Sequence, residues 1–229
     1  MGHVHRKSTR TGLLVMVTLA ALLLGACDDD GLTGLRGSGN ISTESRAVQG
    51  FNRIAVSGSA EVVLTQGPEE ALTVAADDNL LEHVRTEVTG DTLSLGFESG
   101  RYAPSEPLQF NVTVQELRGL HLSGATRVDA AHITTDRLGV SASGSSKITL
   151  AGQATVQDVS SSGSSQYDAG QLESETVTVT ASGVSNVTVW ANAELEVRTS
   201  GSSSVRYYGR PRLNQSISGS GSLTSLGNK

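Results

Sequence analysis

A Ser-Gly pair that recurs about every 20 residues constrains this chain more than any other feature. The glycines are Gly58, Gly124, Gly144, Gly163, Gly183, Gly201 and Gly219, and from Gly124 onward they are spaced 20, 19, 20, 18 and 18 residues apart. Repetition at that period marks stacked supersecondary units. Aligned on the glycines, the chain resolves into columns. Four residues before stand Ile54, Leu120, Val140, Val159, Val179 and Val197, with Gln215 breaking the pattern. Four after stand Val62, Val128, Ile148, Tyr167, Val187, Val205 and Leu223. Two after, the residues are small: Ala60, Thr126, Ser146, Ser165, Ser185, Ser203 and Gly221. Three after, they are polar or charged, from Glu61, Arg127 and Lys147 to Ser222.

Even offsets are thus apolar or small, and the offset of three is polar. That is the period of two of a half-buried strand, and the β-branched columns favour strand over helix. Successive turns would stack about 4.8 Å apart, turning each valine column into an interior ladder. The expected fold is therefore all-β: a parallel β-solenoid or β-helix-like repeat domain with about 18–20 residues per turn. The 66 residues between Gly58 and Gly124 break the period but still read as strands: Glu61–Thr65, Leu72–Ala76, His83–Val88, Thr92–Phe97 and Leu108–Val114. Arg101–Pro107, with two prolines, reads as a surface loop. All three phenylalanines fall in the first half, which predicts a fuller core there, and Trp190, Tyr207 and Tyr208 are placed to cover the last turns.

The N-terminus reads as an address. Basic, polar residues 1–12 precede an apolar run, Leu13 to Leu24, ending in Leu24-Gly25-Ala26-Cys27. A charged segment, a short apolar segment and a small-residue cleavage site make a secretory signal. Leu-Gly-Ala-Cys also resembles the bacterial lipobox. That resemblance implies that Cys27, the chain's only cysteine, is acylated and anchors the protein to a membrane. The division expected is a signal peptide over 1–26, a lipidated cysteine and flexible tether over 27–46, and the folded domain over 47–229.

Composition excludes several functions. One cysteine leaves no internal disulfide and no multi-cysteine zinc site. The first 26 residues hold three cations and no acid, so beyond them 14 Lys and Arg face 23 Asp and Glu, a formal charge of −9. Such a chain repels phosphate backbones, so no nucleic-acid partner is expected. With 3% aromatic residues, no large ring-lined pocket is expected either.

The stretch Phe51-Asn52-Arg53-Ile54-Ala55-Val56-Ser57-Gly58-Ser59, the segment Leu72–Leu81 with Asp77-Asp78-Asn79, and the closing Ile217-Ser218-Gly219-Ser220-Gly221-Ser222 resemble the head-GIN domain family over about residues 47–225. That family is described as the head domain of auto-transporter adhesins. The resemblance implies a β-solenoid-like domain on bacterial lipoproteins and secreted proteins, with no catalytic residues to carry over. The chain departs from the pattern at Ala125 and Val184, where serine is usual.

No catalytic constellation emerges. His83, His121 and His132 are scattered, without the spacing of a metal pair, and no Gly-x-Ser-x-Gly elbow exists. Asp129 and Asp168 share the column five after glycine, with Thr149 between. Two stacking steps would hold them about 10 Å apart, beyond the usual carboxylate pair of glycoside hydrolysis. Asp77-Asp78 reads as a solvated turn. No cofactor and no metal are expected. The leading expectation is a non-enzymatic, envelope-anchored binding, adhesion or scaffolding module, held to the membrane through Cys27 and facing a glycan, an envelope polymer or a protein. A polysaccharide lyase or hydrolase on a β-helix and a purely structural lipoprotein are the alternatives. A binding module requires an exposed polar or aromatic strip, and an enzyme requires clustered acids on adjacent turns.

Overall fold

Every segment whose residues alternate between apolar and polar is a strand. The computed structural model describes residues 1–2 and 34–229, so the signal segment, Cys27 and the start of the expected tether lie outside the described residues. The strands are β1 (Leu35–Arg36), β2 (Ile41–Arg46), β3 (Arg53–Gln66), β4 (Ala71–Asp77), β5 (Val84–Thr89), β6 (Thr92–Phe97), β7 (Tyr102–Ala103) and β8 (Leu108–Val114). They continue as β9 (Gly119–Ala142), β10 (Lys147–Ser161), β11 (Gln166–Ala181), β12 (Asn186–Thr199), β13 (Ser204–Tyr208), β14 (Arg212–Ile217) and β15 (Ser222–Ser225). One 3-10 turn, Leu81–His83, is the only helical element among the described residues.

β1 and β7 pair by themselves, and the other thirteen strands form one mixed, open sheet. Its second half is parallel throughout: β3, β9, β10, β11 and β12 pair in sequence order, each against the segment one repeat later. Each long strand has two legs. β12 shows this directly, because Asn186–Trp190 pairs with β13 while Glu194–Thr199 pairs with β14. The Ser-Gly pair joins the leg ahead of it to the leg after it.

The first half, where the broken period leaves the strand topology open, is mixed. β3 runs parallel to both β6 and β8, but β5–β6, β4–β8 and β2–β4 are antiparallel. For β5–β6 the Gly90-Asp91 connection permits only this: a two-residue turn can join antiparallel neighbours, whereas parallel strands need a long crossover. β2 also corrects the tether expectation, since residues 41–46 are an edge strand. Their side chains are exposed up to a half-buried Arg46, so no apolar alternation betrayed a strand held by backbone bonds to β4. Arg46 adds a clamp, its guanidinium donating to the carbonyls of Leu81 (2.9 Å) and Val84 (3.1 Å).

The Ser-Gly corner stacks on itself. Gly124, Gly144, Gly163, Gly183, Gly201 and Gly219 all have φ between +76° and +94°, where a Cβ is strained. A Cβ at any of them would also lie 2.5–2.8 Å from the carbonyl oxygen of the preceding repeat's glycine. That same carbonyl accepts a backbone N–H from the next corner, at 2.8 Å from Ser145, Ser164, Val184, Ser202 and Ser220. Glycine is required here twice over, by conformation and by proximity.

The serines divide between two tasks. Those two residues after glycine are buried, and Ser146, Ser165 and Ser185 donate to the carbonyls of Ser143, Ser162 and Ser182 at 2.8–2.9 Å. Those just before glycine reach back one repeat, as Ser143 Oγ does to Leu122 O (3.2 Å) and Ser218 Oγ to Thr199 O (3.1 Å). The valine columns are interior as expected, from Ile54 and Leu120 through Val179 and Val197, and from Val128 through Val205. Each such side chain contributes about 1.5–3 kcal/mol on burial. Phe51 and Phe110 are in the core, while Phe97 lies at its margin, stacked on Tyr102 with ring centroids 4.7 Å apart.

The corner opposite the Ser-Gly pair absorbs the differences in repeat length. Register slips between Leu150 and Gly152 against β9, between Thr149 and Ala151 against β11, and between Asp168 and Glu173 against β12. The legs on either side keep their register. The expected cap is also displaced: Trp190, Tyr207 and Tyr208 do not close the stack, because β14 and β15 form a further turn beyond them.

Gly163→Ala, with φ of +78° and a carbonyl 2.6 Å from the new Cβ, should cost about 3 kcal/mol in urea unfolding. Gly90→Ala, with φ of +62° but nothing within 4 Å, should cost only about 1 kcal/mol. Equal losses at the two sites would contradict the stacked-corner account.

Candidate binding surface

With every second side chain committed to the interior, the outward columns are the surface the repeats repeat. On the leg after glycine, Asp129, Thr149, Asp168, Thr188 and Arg206 follow one another in register, Thr188 alone being buried. On the leg ahead of it, Ser141, Ser160, Thr180 and Arg198 do the same. These are short hydroxyl-bearing side chains interrupted by charges, arranged in rows. Asp129 and Asp168 do align across Thr149, as the spacing predicts. Asp129 is held by Arg127 at 2.8 Å, so the two acids stand apart with one already paired.

Charges along the leg ahead of glycine are matched locally. A groove lined by Arg53, Glu116, Arg118, His121, Arg137 and Asp158 contains the pairs Arg118–Glu116 (2.9 Å) and Arg137–Asp158 (2.6 Å), and Arg53 reaches Asp91 (3.2 Å). The surface here is polar without a dominant sign. Among the described residues no group of three or more His, Cys, Asp or Glu side chains could hold a metal ion. The three histidines stay apart in function: His121 lines the groove, His132 occupies a corner at φ of +59°, and His83 lies 5.3 Å from the Tyr102 ring.

One aromatic cluster interrupts the polar surface, at the variable corner. Trp190 and Tyr208 are register partners on adjacent turns, and Glu173 precedes them in the same row. The Trp190 indole N–H donates to Asn192 Oδ1 (3.0 Å), and Asn192 Nδ2 donates to Glu173 Oε1 (2.8 Å). The Lys229 ammonium sits 5.1 Å from the Trp190 ring centroid and 4.7 Å from that of Tyr208, and donates to the Gly170 carbonyl. Trp190 and Tyr208 share the column seven after glycine, so the spacing pairs them; Glu173, ten after its glycine, joins them only because the register slips between Asp168 and Glu173.

Two further polar groups are structural. Tyr167 stands in a valine column and Gln157 in a column otherwise filled by Leu138, Val177 and Leu195, and they compensate each other. The Tyr167 hydroxyl donates to Gln157 Oε1 (3.0 Å), and Gln157 Nε2 donates to Ser174 Oγ (2.5 Å). Burial pushes the Tyr167 phenol well above its ordinary range, so it remains a donor. Asp77, expected in a solvated turn, is instead 1% exposed. Its carboxylate accepts from Gly39 N (2.8 Å), Ser105 N (2.9 Å) and Ser105 Oγ (2.6 Å). It thereby clasps the segment before β2 and the loop after β7 onto the end of β4.

These features define a class: an all-β repeat domain with polar outer rows, an aromatic corner and, among the described residues, Asp129 and Asp168 held apart. The family model "Putative auto-transporter adhesin, head GIN domain" matches residues 50–211, and the chain belongs to that family. Solved structures share the fold. A "putative adhesin" from Bacteroides fragilis superposes with a TM-score of 0.69 at 22% identity, covering 86% of this chain and all of that one. A "putative lipid binding protein" and a "putative adhesin", both from Parabacteroides distasonis, give TM-scores of 0.53 and 0.55 at 21% and 19% identity, each covering 84% of this chain and 99% of that chain. No curated protein matches the chain.

The Asp77 clasp is sensitive to acid. Ser105's hydroxyl, aided by the Ser105 and Gly39 amides and opposed by burial, holds the carboxyl below its ordinary value. A group whose folded pKa is depressed stabilises the fold above its unfolded pKa of about 3.9, and that contribution is lost as pH falls through the folded value. Asp77→Asn should cost about 2 kcal/mol at neutral pH. It should also flatten the decline of the urea midpoint between about pH 4 and pH 2 relative to the unsubstituted protein. A variant that follows the parent curve in parallel would contradict the clasp.

Proposed function

We propose that this protein is a non-enzymatic binding module of the bacterial envelope, anchored by lipid at Cys27, whose repeats wind as a β-solenoid and present their outer rows to an extended polymer. The observation that carries this reading is the in-register row of polar side chains on successive turns, with Asp129, Thr149, Asp168 and Arg206 reaching the surface. A periodic ligand such as a glycan or envelope polymer can engage such a surface at several points, each contact weak and the sum useful. Membership of a family described as an adhesin head domain supports the same reading, as do the names of the proteins that share the fold. The pairing of Asp129 with Arg127 weighs against the carbohydrate-active alternative, because a working acid pair needs both carboxyls aimed at one bond. The lipobox-like Leu24-Gly25-Ala26-Cys27 supports an envelope location.

The test is binding of residues 28–229 to an array of bacterial and host glycans and envelope polymers, with product release assayed on every hit. Saturable binding without product is expected. Release of any product would overturn the non-enzymatic reading.

A further inference from the structure

The aromatic corner carries an inference that rests on the binding-module reading and names its ligand chemistry. We infer that Trp190 and Tyr208 form a recognition site for a free amino sugar, and that Lys229 occupies it as an internal stand-in for the ligand's ammonium.

The geometry is that of an ammonium cage. A cation within about 6 Å of an aromatic centroid is attracted by the ring's negative face. The Lys229 ammonium meets this criterion for two rings at once, at 5.1 and 4.7 Å, while the Gly170 carbonyl accepts one of its protons. Ring pair and carbonyl come from three different turns, so the cage exists only because the stack brings those turns together. Gly170 keeps it open: a Cβ there would lie 3.2 Å from the Tyr208 ring and 3.3 Å from both Asp168 Oδ1 and the Thr188 methyl.

The rim favours a sugar over a bare amine. Glu173 and Asn192 form a hydrogen-bonded edge beside the indole, tied to Trp190 Nε1. Both are half-buried, and a carboxylate with an amide offers the acceptors and donors that sugar hydroxyls need. Two half-buried rings from neighbouring turns provide a face for the C–H side of a pyranose. The formal charge of −9 beyond residue 26 favours a cationic polymer and disfavours an anionic one. The site also lies on the corner that absorbs changes in repeat length, the part of a repeat protein free to vary without disturbing the stack.

Trp190 is the chain's only tryptophan, so its fluorescence reports on this corner alone. Residues 28–229 are titrated with a glucosamine tetrasaccharide and with its fully N-acetylated counterpart, in the unsubstituted protein, Lys229→Gln and Tyr208→Leu. Thermal melts are run on each variant to exclude unfolding. The amino form should give a saturable change in Trp190 emission, at least tenfold stronger in affinity than the acetylated form. Lys229→Gln, by vacating the cage, should tighten binding about fivefold, and Tyr208→Leu should abolish it. Binding should weaken as pH rises through the ligand's own amine pKa. Equal response to both sugars, weaker binding by Lys229→Gln, or a silent Trp190 would each overturn the assignment. If the array finds another polymer while Trp190 stays silent, this corner is excluded and the binding-module reading stands.

Discussion

The structure depends on one contact, the approach of each Ser-Gly corner to the corner before it. Six glycines hold a left-handed backbone with their Cα atoms against a neighbouring carbonyl, and five of the carbonyls in this stack each receive the amide one residue past the next glycine. A side chain at any of these positions would push adjacent turns apart. With the corner closed, the legs on both sides are held in register, and register decides which side chains face inward. Valine and leucine then form interior ladders without individual fitting. The constraint is local and repeated, which is how a chain with 3% aromatic residues assembles a continuous core.

The repeat was legible for that reason. A corner that admits only glycine leaves a periodic trace, and the alternation on either side follows from the pleat. Legibility ended where pairing is made by backbone alone or by residues distant in sequence. β2 carries no apolar alternation because its side chains face water, so its six residues looked like tether. Asp77 sits in an acidic turn that resembles any solvated turn. Only the fold reveals that Ser105 and Gly39 converge on it. The antiparallel strands of the first half were legible as strands but not in their pairing, since no repeat sets their partners.

The aromatic corner was hidden for a different reason. Columns counted from glycine are valid only as far as register holds, and between Asp168 and Glu173 it slips. Glu173 was therefore beyond the reach of the columns, whereas Trp190 and Tyr208 share the column seven after glycine and read only as cover for the last turns. The two corners divide the labour of the repeat. The Ser-Gly side tolerates almost nothing and fixes geometry. The opposite side tolerates insertions and collects the side chains with recognisable chemistry, Glu173, Trp190, Asn192 and Tyr208.

The most direct test of the stacked corner is native-state hydrogen exchange at the amides of Ser145, Ser164 and Val184. These residues are exposed at a turn, where amides ordinarily exchange fast, yet each donates to the glycine carbonyl of the preceding repeat at 2.8 Å. If that contact holds the stack together, these amides exchange only through global unfolding, with protection equal to that of the buried strand residues Ile148 and Tyr167. Exchange as rapid as that of the exposed Ser99-Gly100 turn would show that the corner is not the pin of the structure.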